Sequence, residues 1–232
     1  MKKIKQFAAL LLIAAVGAAS AADAPESWDG LVEVQAKKMD AVFLLPGADF
    51  RPYTKVMIDP TQVAFHKDWM RSMNQTQRDL SRRVTPEDAD KILSAARSNF
   101  DDIFGEAFAK AGVAVVTAPG PDVLRVSTAV VNLYVNAPDL PTAGRSYTFT
   151  AEAGEATLII ETRDSMTGAL MGRVVDRRET RGTTGMQMTT SATNVSEFRA
   201  LFKQWAGITV KGIDELKAHS PVPTDLKPKQ KL

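Results

Sequence analysis

Two strand-length runs flank the segment DSMTG in EATLIIETRDSMTGALMGRVVDRRE, residues 155–179. No other feature restricts the fold as much, because it predicts a long β-hairpin. Asp164 can accept hydrogen bonds from its own turn, and Gly168 is free to adopt a positive φ. A five-residue loop pairs Leu158 with Val174, Ile160 with Gly172 and Thr162 with Leu170, which places an apolar set on one face. Glu161, Arg173, Val175 and Arg177 then share the other. In the second run Arg173, Arg177 and Glu179 alternate with Asp176 and Arg178. The run is therefore not one flat cationic patch.

The rest of the chain supplies partners for such a hairpin. LVEVQ, AVFLL and KVMID are strand-length apolar or alternating runs, punctuated by Pro46, Gly47, Pro52 and Pro60. Thr85 fits an N-cap, Pro86 the first helical position, and Glu87 and Asp88 the positive end of a helix dipole. Phe100, Phe104 and Phe108 recur at helical spacing before Gly112, which suits a left-handed cap. VAVVTA and DVLRVSTAVVNLYVNA follow as strands, the second apolar on both faces as for a strand covered on two sides. A polar loop, TRGTTGMQMTTSAT, comes next. Asn194 and Glu197 form a capping-box pattern for a final helix that carries Phe198, Phe202 and Trp205 on one face. Gly207 and Gly212 in that helix suit a kink or a close approach to the sheet. The expected fold is α+β, with a mostly antiparallel sheet that includes this C-terminal-half hairpin and is covered by two main helices.

The N-terminus carries an export pattern: basic MKKIK, an apolar core of about a dozen residues, then small residues. That core is shorter than the ~20 residues of a bilayer span. The pattern predicts a signal peptide over residues 1–21, cleaved between Ala21 and Ala22, with a second option after Ala24. A single domain over 22–232 follows, with a disordered basic tail from about 221. Of 29 basic residues, Lys2, Lys3 and Lys5 leave with the signal, so 26 face 27 acidic ones and the mature charge is −1. Such a balance argues against tracking of a phosphate backbone, and hence against a nucleic-acid partner. The absence of cysteine excludes thiol nucleophiles, thiolate metal sites and an acylated N-terminal cysteine. The mature protein is expected to be periplasmic or secreted, with no transmembrane span.

Little in the sequence points to catalysis. His66 and His219 stand alone, without triad or metal-ligand spacing, and no phosphate loop occurs. No cofactor or metal is expected. Asp164, Asp176 and Glu179 are near one another in sequence, but arginine neighbours favour their ionised form, the opposite of what a general acid needs. Arg173, Asp176, Arg177, Arg178 and Glu179 form either an ion-paired sheet edge or an interaction surface for another envelope protein. Three roles are distinguished: a non-enzymatic accessory protein of the envelope, the leading reading; a hydrolase acting through Asp176 and Glu179 with neighbouring arginines; and a small-ligand binder with VVNLYV as a pocket wall.

Three segments carry a family resemblance: LPGADFRPYTKVMIDPTQVAFHKDW, AGEATLIIETRDSMTGALMGRVVDRRE and FRALFKQWAGITVKGIDELK. Together they resemble an exported Gram-negative family, the domain of unknown function numbered 3313, over nearly the whole mature chain. The resemblance implies no particular reaction, cofactor or catalytic residue. Many members are labelled lipoproteins, and this chain departs from them in having no cysteine to acylate.

Overall fold

The computed structural model describes residues 27–75, 83–135, 148–150, 152–181, 187–189 and 191–232. Ala21 and Ala22, the predicted cleavage position, lie outside the described residues. Among those described, one nine-stranded sheet dominates. It begins at an edge with β1 (Ser27–Trp28), β2 (Leu31–Val34) and β3 (Ala41–Leu44). The hairpin follows, as β10 (Leu170–Arg181) and β9 (Glu152–Asp164), and then the central strand β7 (Val123–Val135). Every pairing to this point is antiparallel. Beyond β7 the direction changes: β4 (Lys55–Ile58) and β5 (Gln62–Phe65) both run parallel to it, and β6 (Ala114–Val115) runs parallel to β4.

The sheet is therefore mixed, which corrects the expectation of a mostly antiparallel one. A parallel pair needs a crossover connection, and α2 (Pro86–Lys110) lies between β4 and β6 in the chain. The strands β4 and β5 are successive halves of one edge along β7, interrupted at Asp59 and Pro60. Proline has no N–H to give to a ladder, so the break falls where the sequence requires one.

Among the described residues three helices accompany the sheet: the short α1 (Trp69–Gln75), and the long α2 and α3 (Ser191–Ala218). At the start of α2, Thr85 accepts from the Asp88 N–H while the Asp88 carboxylate accepts from the Thr85 N–H, a complete capping box. Gly112 ends the helix at φ +75. The other long helix begins at Ser191, so Asn194 sits inside its first turn and not at the cap. Phe100, Phe104, Phe108, Phe198, Phe202 and Trp205 are all buried against the sheet, in one cluster with Val126, Val130, Leu158 and Ile160. Phe100 stacks on Phe104 at 4.1 Å and meets Phe202 edge-on at 5.1 Å, which joins the two long helices.

Two bulges revise the expected strand faces. In the hairpin the pairs are Val174 with Ile160 and Gly172 with Thr162, two residues away from the predicted register. The shift lies between Leu170 and Gly172. Because the two-residue offset from the predicted register equals one full pleat, every residue from Gly172 to Thr180 keeps its predicted face. Leu170, however, turns to the small cluster of Leu31, Ala41 and Phe43 on the opposite face, while Met171 enters the main core. In β7 a second irregularity spans Val131 to Tyr134, with Asn132 at φ +52. It directs Leu133 and Val135 into the same core as Val130. The apolar run from Val130 to Val135 thus reflects a phase change in the strand.

The tail expected to be disordered from about 221 is docked on the sheet edge. The Val222 N–H donates to Ala48 O at 2.8 Å, the Lys229 N–H donates to Glu33 O at 2.8 Å, and the Gln35 N–H donates to Gln230 O at 2.9 Å. Val222 and Leu226 are buried. Among the described residues no helix is long and apolar enough to cross a membrane.

Candidate functional site

Asp176 faces the helices from β10 and is 2 % exposed. A carboxylate so placed must find donors or lose its charge, and it finds three. Its Oδ2 accepts from Trp205 Nε1 and from Arg178 Nε, both at 2.6 Å, and its Oδ1 accepts from the Asp40 N–H at 3.0 Å. Asp40 reciprocates, its Oδ2 accepting the Arg177 N–H at 2.8 Å. Arg178 then reaches past the carboxylate, and its Nη2 donates to Lys38 O at 2.7 Å. One buried aspartate thus locks three elements together: β10, the loop between β2 and β3, and α3.

The opposite face of the hairpin carries a second network. Arg173, 7 % exposed, donates from Nη2 to Glu161 Oε1 at 2.7 Å and to Asp29 Oδ2 at 2.9 Å. Its guanidinium lies 4.1 Å above the centre of the Trp28 ring, a cation–π contact. Its Nη1 is buried without a hydrogen-bond partner. Arg163 donates to the other Glu161 oxygen at 2.7 Å. Burial pushes the Glu161 pKa up, but the hydrogen bonds from Arg163 and Arg173 outweigh it and hold the group below its ordinary value. At the hairpin turn Asp164 accepts from the Thr167 N–H and hydroxyl, the Tyr53 hydroxyl and the Met166 N–H, and these hydrogen bonds lower its pKa. Burial and that bond raise Tyr53 to about 12, so its hydroxyl stays a donor.

Between the β2–β3 loop, β10 and α3 lies an open groove of about 680 Å³. Lys37, Lys38, Lys203 and Lys211 line it, together with Arg177 and Arg178. Arg177 pairs with Glu155 and Arg178 with Asp176, whereas none of the four lysines enters a salt bridge among the described residues. A neighbouring chamber of about 530 Å³, lined by the C-terminal half of α3, shares Lys37, Lys38, Met39, Ile208 and Lys211 with the groove. Val42, Val174, Ile160, Ile208, Ile213 and Leu216 are among the residues that form its walls. Lysines scattered along the chain from Lys37 to Lys211 converge here, so no local run of charge marks the groove in the sequence.

The residues singled out from the sequence do not converge on one reaction centre. Asp176 is enclosed by its donors, and Glu179, three residues along a regular strand, is exposed on the other face. Asp164 is level with a point six residues from Asp176 along the hairpin, roughly 20 Å away at about 3.3 Å per residue. Of the proposed interaction surface, Arg173 and Asp176 are buried, and Arg177, Arg178 and Glu179 reach solvent to differing degrees. His66 accepts from the Asp68 N–H at Nδ1, and His219 lies on the chamber wall. The VVNLYV segment lines neither the groove nor the chamber. Among the described residues no group of three or more His, Cys, Asp or Glu is placed to hold a metal ion.

Fold and groove together define a mixed-sheet α+β protein with a basic cleft beside one long helix. The chain belongs to the family described as "Protein of unknown function (DUF3313)", whose model matches residues 20–208. Among solved structures it is similar to a Xanthomonas campestris protein of family DUF330, at 12% identity over 81% of this chain and 94% of that one, TM-score 0.41. It is also similar to the PelC dodecamer protein from Paraburkholderia phytofirmans, at 14% identity, 70% and 95% coverage and TM-score 0.32. A neuraminyllactose-binding hemagglutinin homologue from Helicobacter pylori is 9% identical, with 75% and 95% coverage and TM-score 0.32. No curated protein matches the chain.

Proposed function

We propose that this is an exported, non-catalytic accessory protein of the cell envelope, whose lysine groove holds an acidic surface of another envelope protein. The observation that carries the reading is the convergence of Lys37, Lys38, Lys203 and Lys211, free of salt bridges, on one concave wall. Complementary charge steers and orients a partner, and the Asp176 clasp makes the wall rigid before the partner arrives, which reduces the ordering cost of binding. Export is supported by the N-terminal pattern of basic, apolar and small residues. The role of β10 is then divided: Asp176 and Arg178 build the wall, while Arg177 stands at its rim.

The test is crosslinking capture from intact cells with the wild-type chain and a Lys38→Glu/Lys211→Glu variant, alongside fractionation and N-terminal sequencing. The reading expects one envelope protein, captured reproducibly by the wild type and lost by the folded variant. It also expects a mature chain that begins at Ala22 in the soluble periplasmic or secreted fraction. Equal capture by both chains, or a full-length chain retained from Met1, counts against it.

A further inference from the structure

The chamber behind the lysine groove needs an account of its own. Its walls are largely apolar, and it shares Lys37, Lys38 and Lys211 with the lining of the groove. Close packing is the rule in protein interiors, yet Val42, Val174 and Leu216 are only partly buried around a space of about 530 Å³. Two glycines of α3 face these spaces, Gly207 in the groove and Gly212 in the chamber, and a Cβ added at either meets nothing within 4 Å. Glycine in a helix interior costs backbone entropy. Here no close approach to the sheet repays it, since the space beside both residues is open. Neither glycine puts a side chain into the groove or the chamber that it lines.

We infer that the chamber is a binding site for a long-chain fatty acid, with its acyl chain beneath α3 and its carboxylate at Lys38 and Lys211. At about 30 Å³ for one water-sized group, a chamber of about 530 Å³ holds about 18 such groups, the heavy-atom count of a 16-carbon fatty acid with its two carboxylate oxygens. An apolar cavity with a few polar groups at one end is the usual form of a small-molecule site. The lysine ammonium groups supply the charge that a carboxylate needs where the groove meets solvent. The inference goes beyond the accessory reading and shares the lysine mouth with it: the ligand fills the chamber, and the protein partner covers the groove.

The experiment titrates the purified mature protein with cis-parinarate, a fluorescent 18-carbon fatty acid. Saturable one-to-one binding is expected, with displacement by palmitate at least tenfold more effective than by methyl palmitate, which lacks the charge. Gly212→Leu, which fills the chamber and suits a helix, is expected to weaken binding at least tenfold with an unchanged melt. Lys38→Glu/Lys211→Glu is expected to weaken it and to remove the preference for palmitate over its ester. As a readout independent of these variants, a stearate spin-labelled near its tail is expected to broaden the Ile208 and Ile213 methyl signals in the wild-type protein. The absence of saturable binding by folded protein overturns the inference, as does undiminished binding by Gly212→Leu or broadening confined to Ile159 and Val175 on the other face. If parinarate fails to bind while charge reversal still abolishes partner capture, the fatty-acid site falls and the accessory reading stands.

Discussion

The indole N–H of Trp205 and the carboxylate of Asp176 meet at 2.6 Å between α3 and β10, both residues buried. Arg178 supplies the balancing charge, and the Asp40 N–H a third donor. Removing the carboxylate leaves an arginine, an indole N–H and a backbone N–H without their acceptor at one point.

Asp176→Ala is therefore expected to lose about 3–5 kcal/mol, the cost of breaking a buried charge pair from one side. Trp205→Phe keeps most of the packing and deletes one donor, at about 1–3 kcal/mol. Arg177→Ala is expected to cost under about 1 kcal/mol, since its side chain is 57% exposed in its pair with Glu155. Arg178→Ala is expected to fall between Asp176→Ala and Arg177→Ala, because it removes the partner of a buried carboxylate and a bond to Lys38. Denaturant melts of the four variants check this order, and a wild-type-like Asp176→Ala would remove the clasp.

The aromatic layer gives a second test. Phe104 and Trp205 are fully buried between the long helices and the sheet. Truncating either to alanine is expected to cost about 3–5 kcal/mol in thermal or denaturant unfolding.

Acid is expected to act through Glu161. Its folded-state pKa is held below the ordinary 4.5, so its stabilising effect is complete above that value and is lost as pH falls through the folded pKa. Glu161→Gln is expected to melt lower than the wild type at neutral pH, because Arg173 keeps only the exposed Asp29 as a charged partner. The gap is expected to narrow as the pH is taken below about 4.5. Melts from pH 7 down to pH 3 check the sign: a gap that widens on acidification would contradict the assigned pairing.

How much of this was legible in the sequence depended on how far apart the interacting groups lie. The Thr85–Asp88 cap and the Phe100–Phe104–Phe108 face are local, and residue types at fixed spacing reveal them. Strand period fixed the faces of Val174, Asp176 and Arg177 despite a register two residues out, because an even shift preserves parity. The phase change at Leu170 and Met171 has no turn residue to announce it. The parallel pairing of β4 with β7 did leave a trace, a long helix between strands, but a helix also fits between antiparallel strands. For the bond between Asp176 and Trp205, and for the meeting of Lys37 with Lys211, there was no trace. Those residues are brought together by the docking of α3, and no periodicity in either segment encodes it.

The C-terminal tail supplies the last prediction. A basic, proline-containing end such as VPTDLKPKQKL resembles a solvated tail in composition, yet its two large aliphatic residues before the end, Val222 and Leu226, are buried and its backbone bonds to Gln35, Gly47 and Ala48. Each fully buried aliphatic side chain contributes roughly 1.5–3 kcal/mol, so deleting residues 221–232 is expected to lower stability by more than the loss of a solvated end would. The same deletion removes Lys231 and Leu232 from the chamber wall. Val222→Asp separates the two effects, since it undocks the segment at Ala48 while every chamber-lining side chain remains in the chain. Both variants are expected to melt below the wild type and to expose the β2–β3 edge to faster hydrogen exchange at Gln35 and Gly47. Unchanged exchange at those two amides would show that the tail does not hold the edge in solution.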